Sequence, residues 1–249
     1  MDETPASFTE DRVLGGKVTL RQPAKGYRAG VDAALLAAAC DAEPGQSVLD
    51  AGCGVGAVML AAAARRAGVS FVGIERDAAA LALAQANIVA NDRSDRVEAV
   101  LGDIVAPDAR CATRFDAALS NPPFFDDPAA LRGPHPAKAA AFIAEAGLGA
   151  WVGFLLRAVR DGGTLTVIHR ADRLADLLAL LGAKAGSFQI RPVHPHADDP
   201  AGRVLVRAIR GGRAPLRLLP PLVLHERGAA KHTREAEAIL RGEADLPWL

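Results

Sequence analysis

Short apolar runs alternate with longer segments of helical periodicity through the middle of the chain. The runs predict buried β-strands, and the segments between them predict helices that begin near Ala57, Ala78 and Ala139. The strands are expected at 48–51, 70–75, 97–101, 115–120 and 164–169. Because strands and helices alternate, we predict a parallel sheet with helices on both faces.

The pattern changes after residue 170. A helix at 172–181 precedes two strand-like runs, 187–193 and 203–209, that flank a loop and predict an antiparallel hairpin. The expected fold is therefore α/β, a doubly wound, mostly parallel, seven-stranded sheet of Rossmann-like type with a C-terminal antiparallel hairpin.

The chain is expected to form a single domain. Residues 1–40 should form a small hairpin at 12–20 and a helix capped by Asp32, residues 41–210 the core sheet, and residues 211–249 a tail packed on that core. A chain of 249 residues is long enough to bury a substantial core.

Composition limits the cellular context and the partners. The 29 basic and 29 acidic residues cancel, so any contact with nucleic acid requires a local basic patch. No apolar run is long enough to span a membrane, and the acidic N-terminus does not resemble a signal peptide. The three cysteines form no CxxC pair, which predicts free thiols and a cytoplasmic protein.

The first candidate site is a glycine turn at the end of the 48–51 strand. Gly52, Gly54 and Gly56 allow positive φ and close approach of a ligand, and the next helix points its amides at the turn. The pattern also fits the loose dinucleotide signature, with Glu75 at the position of a ribose-binding acid. However, Asp50, two residues before the first glycine, suits a cationic cofactor better than a pyrophosphate.

The second candidate site is the tetrapeptide Asn121-Pro122-Pro123-Phe124 after the fourth strand. As a purely structural feature, it would simply end the strand. As a functional feature, the Asn121 side-chain oxygen and the Pro122 carbonyl would each accept one N–H of a planar exocyclic amine, orienting its lone pair for methyl transfer. Phe124 would stack on a flat base, and the reaction would need no general base.

Together, the turn from Asp50 to Gly56 and the Asn-Pro-Pro-Phe tetrapeptide resemble the motifs of class I S-adenosylmethionine-dependent methyltransferases acting on planar nitrogens. Segments 26–37 and 215–226 further resemble the bacterial tRNA adenine-N6-methyltransferases that modify the purine beside the anticodon of a valine tRNA. The resemblance implies S-adenosylmethionine as cofactor, structured RNA, most specifically tRNA, as partner, and Asn121, Pro122 and Phe124 as catalytic residues.

The resemblance also implies a set of cofactor-binding residues. Glu75 would bind the ribose and Asp103 the adenine amino group, although each acid could instead cap a local turn. Cys53 is expected as a small filler rather than a nucleophile. The complete set is Tyr27, Arg28, Asp32, Asp50, Gly52, Cys53, Gly54, Gly56, Glu75, Arg76, Asp103, Ile104 and Asn121.

Three basic segments are candidate RNA contacts or solvated surfaces. One acid-free run contains five arginines between Arg203 and Arg217, another spans Lys17 to Arg28, and a loop after the tetrapeptide carries Arg132, His135 and Lys138. A fourth cluster, His194 and His196 with two nearby aspartates, lacks a rigid second pair, so no metal is expected.

Several other functions share part of this pattern. A guanine-N2 methyltransferase of rRNA or a glutamine methyltransferase of a release factor would use the same tetrapeptide, though the second usually carries an extra N-terminal helical domain. A cofactor-binding RNA module without catalysis would have no need of Asn121, and a nicotinamide-dependent dehydrogenase would have no need of the tetrapeptide. The oligomeric state stays open.

Overall fold

A computed structural model of the chain describes residues 8–24, 28–104, 114–123, 136–228 and 232–249, with residues 136–146 described by their backbone alone. The helices are α1 (Val31–Ala38), α2 (Ala57–Arg65), α3 (Ala78–Ala90), α4 (Pro136–Ala158), α5 (Leu174–Leu181) and α6 (Arg234–Leu240). The strands are β1 (Phe8–Val13), β2 (Val18–Pro23), β3 (Ser47–Ala51), β4 (Ser70–Glu75), β5 (Val97–Leu101), β6 (Phe115–Ser120), β7 (Val159–Arg170), β8 (Ala185–His194), β9 (Arg203–Arg210), β10 (Arg217–Leu218) and β11 (Leu222–Val223).

The main sheet confirms the predicted fold class. Its strands run in the order β10-β8-β9-β7-β6-β3-β4-β5, with β11 also paired to β8. Strands β3 to β7 are mutually parallel, and β9 is antiparallel to both β7 and β8. The short strands β10 and β11, which extend the seven predicted strands, come from the tail and lie parallel to β8.

Helices cover both faces of the sheet, which explains why its central strands are rich in apolar residues. On β3, Val48 packs on the face covered by α1, α2 and α3, whereas Leu49 and Ala51 pack on the opposite face with α4 and α5. The alternation of side chains along a strand produces this division. The carboxyl ends of the parallel strands therefore form one edge, here called the carboxyl edge, where open sheets bind ligands.

Three local features refine the sequence-based expectations. The N-terminal hairpin begins at Phe8 rather than Arg12, since β1 pairs with β2 from Phe8 to Val13. The expectation that Asp32 caps α1 is wrong: Gly30 is the N-cap, and Asp32 lies in the first turn. Helix α4 bends at Gly147 (φ 32°, ψ 159°), near the predicted break.

The chain from 211 to 249 makes side-chain and backbone contacts with the core. Trp248 Nε1 donates to the Ala39 carbonyl at 2.7 Å, and Leu246 N donates to the Ala38 carbonyl at 3.0 Å. Gln189 on β8 exchanges two hydrogen bonds with the backbone of Leu249. None of the helices in the described ranges has the length and hydropathy needed to cross a membrane.

Candidate active site

The glycine turn adopts the backbone conformation expected from its sequence. Gly52, Gly54 and Gly56 have φ values of 75°, 55° and 86°, in the left-handed region that favours glycine. The amides of Gly52 and Cys53 both donate to the Ile74 carbonyl, at 2.9 and 3.0 Å. A Cβ on Gly54 would meet no atom within 4 Å, so this part of the turn is open to a ligand.

Asp50 lies beneath the turn rather than on its surface. The side chain is 1% exposed, and its Oδ2 accepts a hydrogen bond from the Met59 amide in the first turn of α2 at 3.1 Å. Burial raises the pKa of Asp50 to about 7, an effect that this hydrogen bond opposes. The carboxylate therefore caps α2, and its predicted attraction for a cationic cofactor would act from below the turn.

Glu75 joins the end of β4 to the glycine turn. Its Oε2 accepts from the Gly54 amide at 2.9 Å, and its Oε1 accepts from the amides of Arg76 and Asp77 at 2.8 Å each. Burial raises the pKa of Glu75, although the three donors act in the opposite direction. This is the local turn-capping role weighed above; an ionised carboxylate has about four acceptor positions, so capacity for a ribose hydroxyl remains.

The residues after β5 lie at the same edge. Glu75 is in register with Leu101, and the Gly102 amide donates to the Glu75 carbonyl at 3.0 Å. Arg76 Nη1 lies 3.9 Å from Asp103 Oδ2, and both side chains are about 40% exposed. Ile104 is buried. The turn, the ribose candidate and the adenine candidate thus occupy three successive strand ends.

Asn121 emerges beside the glycine turn. Strands β3 and β6 are adjacent, and Ala51 is in register with Ser120, so Gly52 and Asn121 continue from neighbouring strand ends. Asn121 is half-buried and Pro122 is buried. Phe124, predicted to stack on the substrate, and Tyr27, predicted to bind the cofactor, lie outside the described residues.

Two other expected cofactor residues are engaged within the protein. Arg28 Nη1 donates to Thr9 Oγ1 at 2.7 Å, and its Nη2 contacts Asp11 Oδ2 at 2.5 Å. Asp32 Oδ2 accepts from Arg203 Nε at 3.0 Å. Their roles in cofactor binding stay predictions. Cys53 is buried, and burial raises the pKa of its thiol well above the usual range, which matches a filler residue and not a nucleophile.

The arginine run that ends at Arg217 is acid-free in sequence but not in space. Arg203, Arg207 and Arg210 contact Asp32, Asp41 and Asp161 at 3.0, 2.7 and 2.9 Å. Strand β9 begins at the carboxyl edge of the sheet and ends at the opposite edge. Its first and last residues are therefore roughly 25 Å apart at the usual rise per residue. The run therefore cannot act as a single basic patch.

The basic side chains of the other two segments either make contacts within the protein or lie outside the described residues. Lys17 Nζ donates to the Gly242 carbonyl at 2.6 Å, and Arg21 pairs with Glu10 at 3.2 Å. Arg132 and His135 and the side chain of Lys138 lie outside the described residues, as does Lys25.

One histidine of the predicted loop, His196, lies against a stacked pair of histidines from the tail. The rings of His225 and His232 stack at 4.8 Å, and His196 lies 5.9 Å from His225. His196 Nδ1 is 2.7 Å from Asp199 Oδ2. No group of three or more His, Cys, Asp or Glu side chains in the described ranges is arranged to hold a metal ion.

Two functional candidates were not identified in the sequence. Ser120 is fully buried, and its Oγ donates to the Ala51 carbonyl at 3.1 Å while accepting from Trp151 Nε1 at 2.7 Å. Trp151 belongs to neither the glycine turn nor the tetrapeptide. Its contact with β6 could not be read from the sequence because the two residues lie in different elements with no shared motif.

Comparison with known proteins places this geometry in a family. The family model described as the methyltransferase small domain matches residues 28–171. A tRNA1(Val) (adenine(37)-N6)-methyltransferase from Dickeya chrysanthemi is 30% identical over 189 residues, 75% of this chain and 74% of that protein. A protein of the same description from Actinobacillus succinogenes is 31% identical over 147 residues, and the alignment spans 59% of this chain and 62% of the relative.

Solved structures show the same fold. A predicted O-methyltransferase from Agrobacterium tumefaciens superimposes with a TM-score of 0.73 at 26% identity, and the match covers 87% of this chain and 99% of the other protein. A 16S rRNA N2 G1207 methyltransferase from T. thermophilus, solved with AdoMet and guanosine, gives 0.59 at 24% identity, covering 82% of this chain and 50% of its own. The second likeness establishes the fold alone.

Proposed function

Since this chain belongs to the methyltransferase small domain family, we propose that it is an S-adenosylmethionine-dependent N-methyltransferase acting on the exocyclic amino group of a base in structured RNA. The most specific form of the proposal is N6 of an adenine near the anticodon of a tRNA. The observation that carries it is the register of Ala51 with Ser120, which brings Asn121 beside the glycine turn.

The residues at the carboxyl edge fit this cofactor. Gly54 leaves open space over the turn, and the buried carboxylate of Asp50 lies below it. Glu75 ends the next strand, β4, and Asp103 follows β5, at positions suited to the ribose and the adenine. When bound, the cofactor would supply an electrophilic methyl group on a cationic sulfur.

The chain's own contribution to the chemistry would be orientation. An amine conjugated to a base is a weak nucleophile because its lone pair is delocalised. The Asn121 side-chain oxygen and the Pro122 carbonyl would accept its two N–H groups and turn the lone pair towards the methyl donor. Because the leaving group is a neutral thioether, the amine's proton can depart to water after transfer.

The choice of tRNA over other RNA rests on the relatives. The proteins from Dickeya and Actinobacillus carry tRNA adenine-N6 names, whereas the likeness to the rRNA enzyme is one of fold. The paired arginines at the carboxyl edge argue against a large standing positive field. Binding of RNA would therefore depend on shape and on base capture as well as on phosphate contacts.

The direct test offers the purified protein a labelled methyl donor and three substrates. These are unmodified tRNA transcripts, protein-free 16S rRNA, and a release factor. The proposal expects N6-methyladenosine in tRNA by mass spectrometry of the digested nucleosides. N2-methylguanosine in rRNA or methylglutamine in the release factor would contradict the substrate assignment, and absence of S-adenosylmethionine binding by calorimetry would contradict the cofactor assignment.

A further inference from the structure

Trp151 connects the two halves of the candidate active site. Its side chain, 5% exposed, projects from α4 just after the bend at Gly147. The indole Nε1 donates to Ser120 Oγ at 2.7 Å, and the same hydroxyl donates to the Ala51 carbonyl at 3.1 Å. A buried side chain thus spans the last residues of β3 and β6.

The ring of Trp151 also covers the start of the glycine turn. A Cβ on Gly52 would lie 2.6 Å from Trp151 Cζ2 and 2.8 Å from Cη2, well inside the contact limit. The indole therefore rests directly on the Gly52 backbone. The absence of a side chain at Gly52 serves this contact, while Gly54 leaves the ligand side of the turn open.

These contacts touch the residues immediately before both reactive segments. Ser120 precedes Asn121, and Ala51 precedes Gly52. Methyl transfer is sensitive to small displacements, since a misplacement of about 1 Å can cost roughly 100-fold in rate. A rigid aromatic ring with one directional donor is suited to holding two backbone segments at a set separation.

We propose that Trp151 is a positioning residue that sets the separation between the cofactor turn and Asn121. This inference rests on the proposed methyl transfer. Trp151 would act through Ser120 and Gly52 and would touch neither substrate nor reacting atoms. Its loss should therefore reduce turnover more than it reduces cofactor affinity.

The chain offers a matched control in its second tryptophan. Trp248 also donates its Nε1 to a buried partner, the Ala39 carbonyl, at the same distance of 2.7 Å. It packs beyond the end of α1, on the side of the domain opposite the carboxyl edge. The variants Trp151→Phe and Trp248→Phe each remove one indole donor and keep an aromatic ring, but Trp151 is buried whereas Trp248 is partly buried.

The experiment measures kcat, the cofactor Kd and the Tm of both variants. Trp151→Phe should lower kcat by about 10- to 100-fold and change the cofactor Kd by less than about 3-fold. Trp248→Phe should lower the Tm by no more than Trp151→Phe does, because Trp248 is only partly buried, and it should leave kcat unchanged. Equal kcat in Trp151→Phe and the parent protein would overturn the proposal, as would equal kcat losses in the two variants.

A second variant keeps the test valid if Trp151→Phe folds poorly. Ser120→Ala removes the acceptor of the Trp151 Nε1 hydrogen bond and keeps the tryptophan, so it should reproduce the loss of kcat, and an unchanged kcat in Ser120→Ala would overturn the proposal. If both single variants fold, the double variant should be no slower than the slower single variant, because both changes break the same hydrogen bond. Additive losses would overturn the proposal.

A binding measurement separates this inference from the proposed function. In Trp248→Phe, Trp151 is the sole tryptophan, and its emission should change on titration with S-adenosylhomocysteine. If calorimetry detects binding but the emission of Trp151 does not change, the inference about Trp151 fails and the proposed function stands. Absence of binding by calorimetry would refute both the proposed function and this inference.

Discussion

The Oε2 atom of Glu75 accepts a hydrogen bond from the Gly54 amide at 2.9 Å, which ties the end of β4 to the middle of the turn after β3. The other carboxylate oxygen binds the amides of Arg76 and Asp77. Glu75 therefore organises the turn before any ligand arrives. Its predicted role in ribose binding would be additional to these hydrogen bonds with the backbone.

Glu75→Gln should weaken cofactor binding by at least about 10-fold, since hydrogen bonds to a charged acceptor contribute roughly 1.5–3 kcal/mol each. The amide cannot accept on both sides, so the turn loosens, and kcat at saturating cofactor should fall much less. Calorimetric titration with S-adenosylhomocysteine measures the affinity. Glu98→Gln, an equal charge change at an exposed position of β5, is the control and should leave the Kd unchanged.

Cofactor affinity should depend on the protonation of Asp50. Burial raises the pKa of Asp50 to about 7, so the carboxyl is largely protonated at pH 5.5 and ionised at pH 7.5. A cationic cofactor favours the ionised form, and the complex therefore binds fewer protons than the free protein. By linkage, affinity should rise as the pH increases from 5.5 to 7.5.

Asp50→Asn tests that assignment because it keeps an acceptor for the Met59 amide and cannot ionise. Its affinity for S-adenosylmethionine should be lower at pH 7.5 and nearly constant over the same range. An unchanged pH profile in Asp50→Asn would move the titration to another group, of which Glu75, whose pKa burial also raises, is the first candidate.

The sequence predicted the parts of the molecule that follow from local pattern. Apolar runs predicted the parallel strands, because a strand that is covered by helices on both faces carries mostly apolar side chains along its length. The glycines at 52, 54 and 56 gave a turn of positive φ, since that conformation is cheap only for glycine. The pairing and register of β3 with β6, which bring Asn121 beside the turn, were not predicted, because they join segments about 70 residues apart.

Features that depend on distant pairing were missed or misread. Arg203 lies in an acid-free run but pairs with Asp32, 171 residues away. Asp32 is a residue type typical of helix caps, yet Gly30 occupies the cap position of α1. Trp151 and Ser120 meet only because α4 packs across β6. Local periodicity carries no information about such partners.

Asn121→Ala should reduce methyl transfer by at least about 100-fold while leaving the cofactor Kd within about 3-fold. The reason is that Asn121, although it is included among the expected cofactor-binding residues, would act mainly by holding the substrate amine. Asn121→Asp keeps an acceptor oxygen and should retain more activity than the alanine variant. Rates from labelled methyl donor and affinities from calorimetry decide the result, and a comparable loss of both quantities in Asn121→Ala would contradict the role given to Asn121.

The ion pair between Asp32 and Arg203 joins the first turn of α1 to the start of β9 at the carboxyl edge. The side chains are 22% and 34% exposed, so water screens the pair only in part. We expect Asp32→Asn and Arg203→Gln each to lower the free energy of unfolding, and the double variant to show a coupling of about 0.5–1 kcal/mol. Urea titrations of the four proteins measure this cycle.

Arg227 and Asp198, which contact each other at 2.7 Å but are 58% and 67% exposed, supply the control cycle. Their coupling should be smaller, because solvent screens both charges. If Arg203→Gln also weakens cofactor binding while Arg227→Gln does not, the pair holds Asp32 in place for the site as well as stabilising the fold. Additive losses of unfolding free energy in the Asp32 and Arg203 cycle would show that the contact contributes nothing to stability.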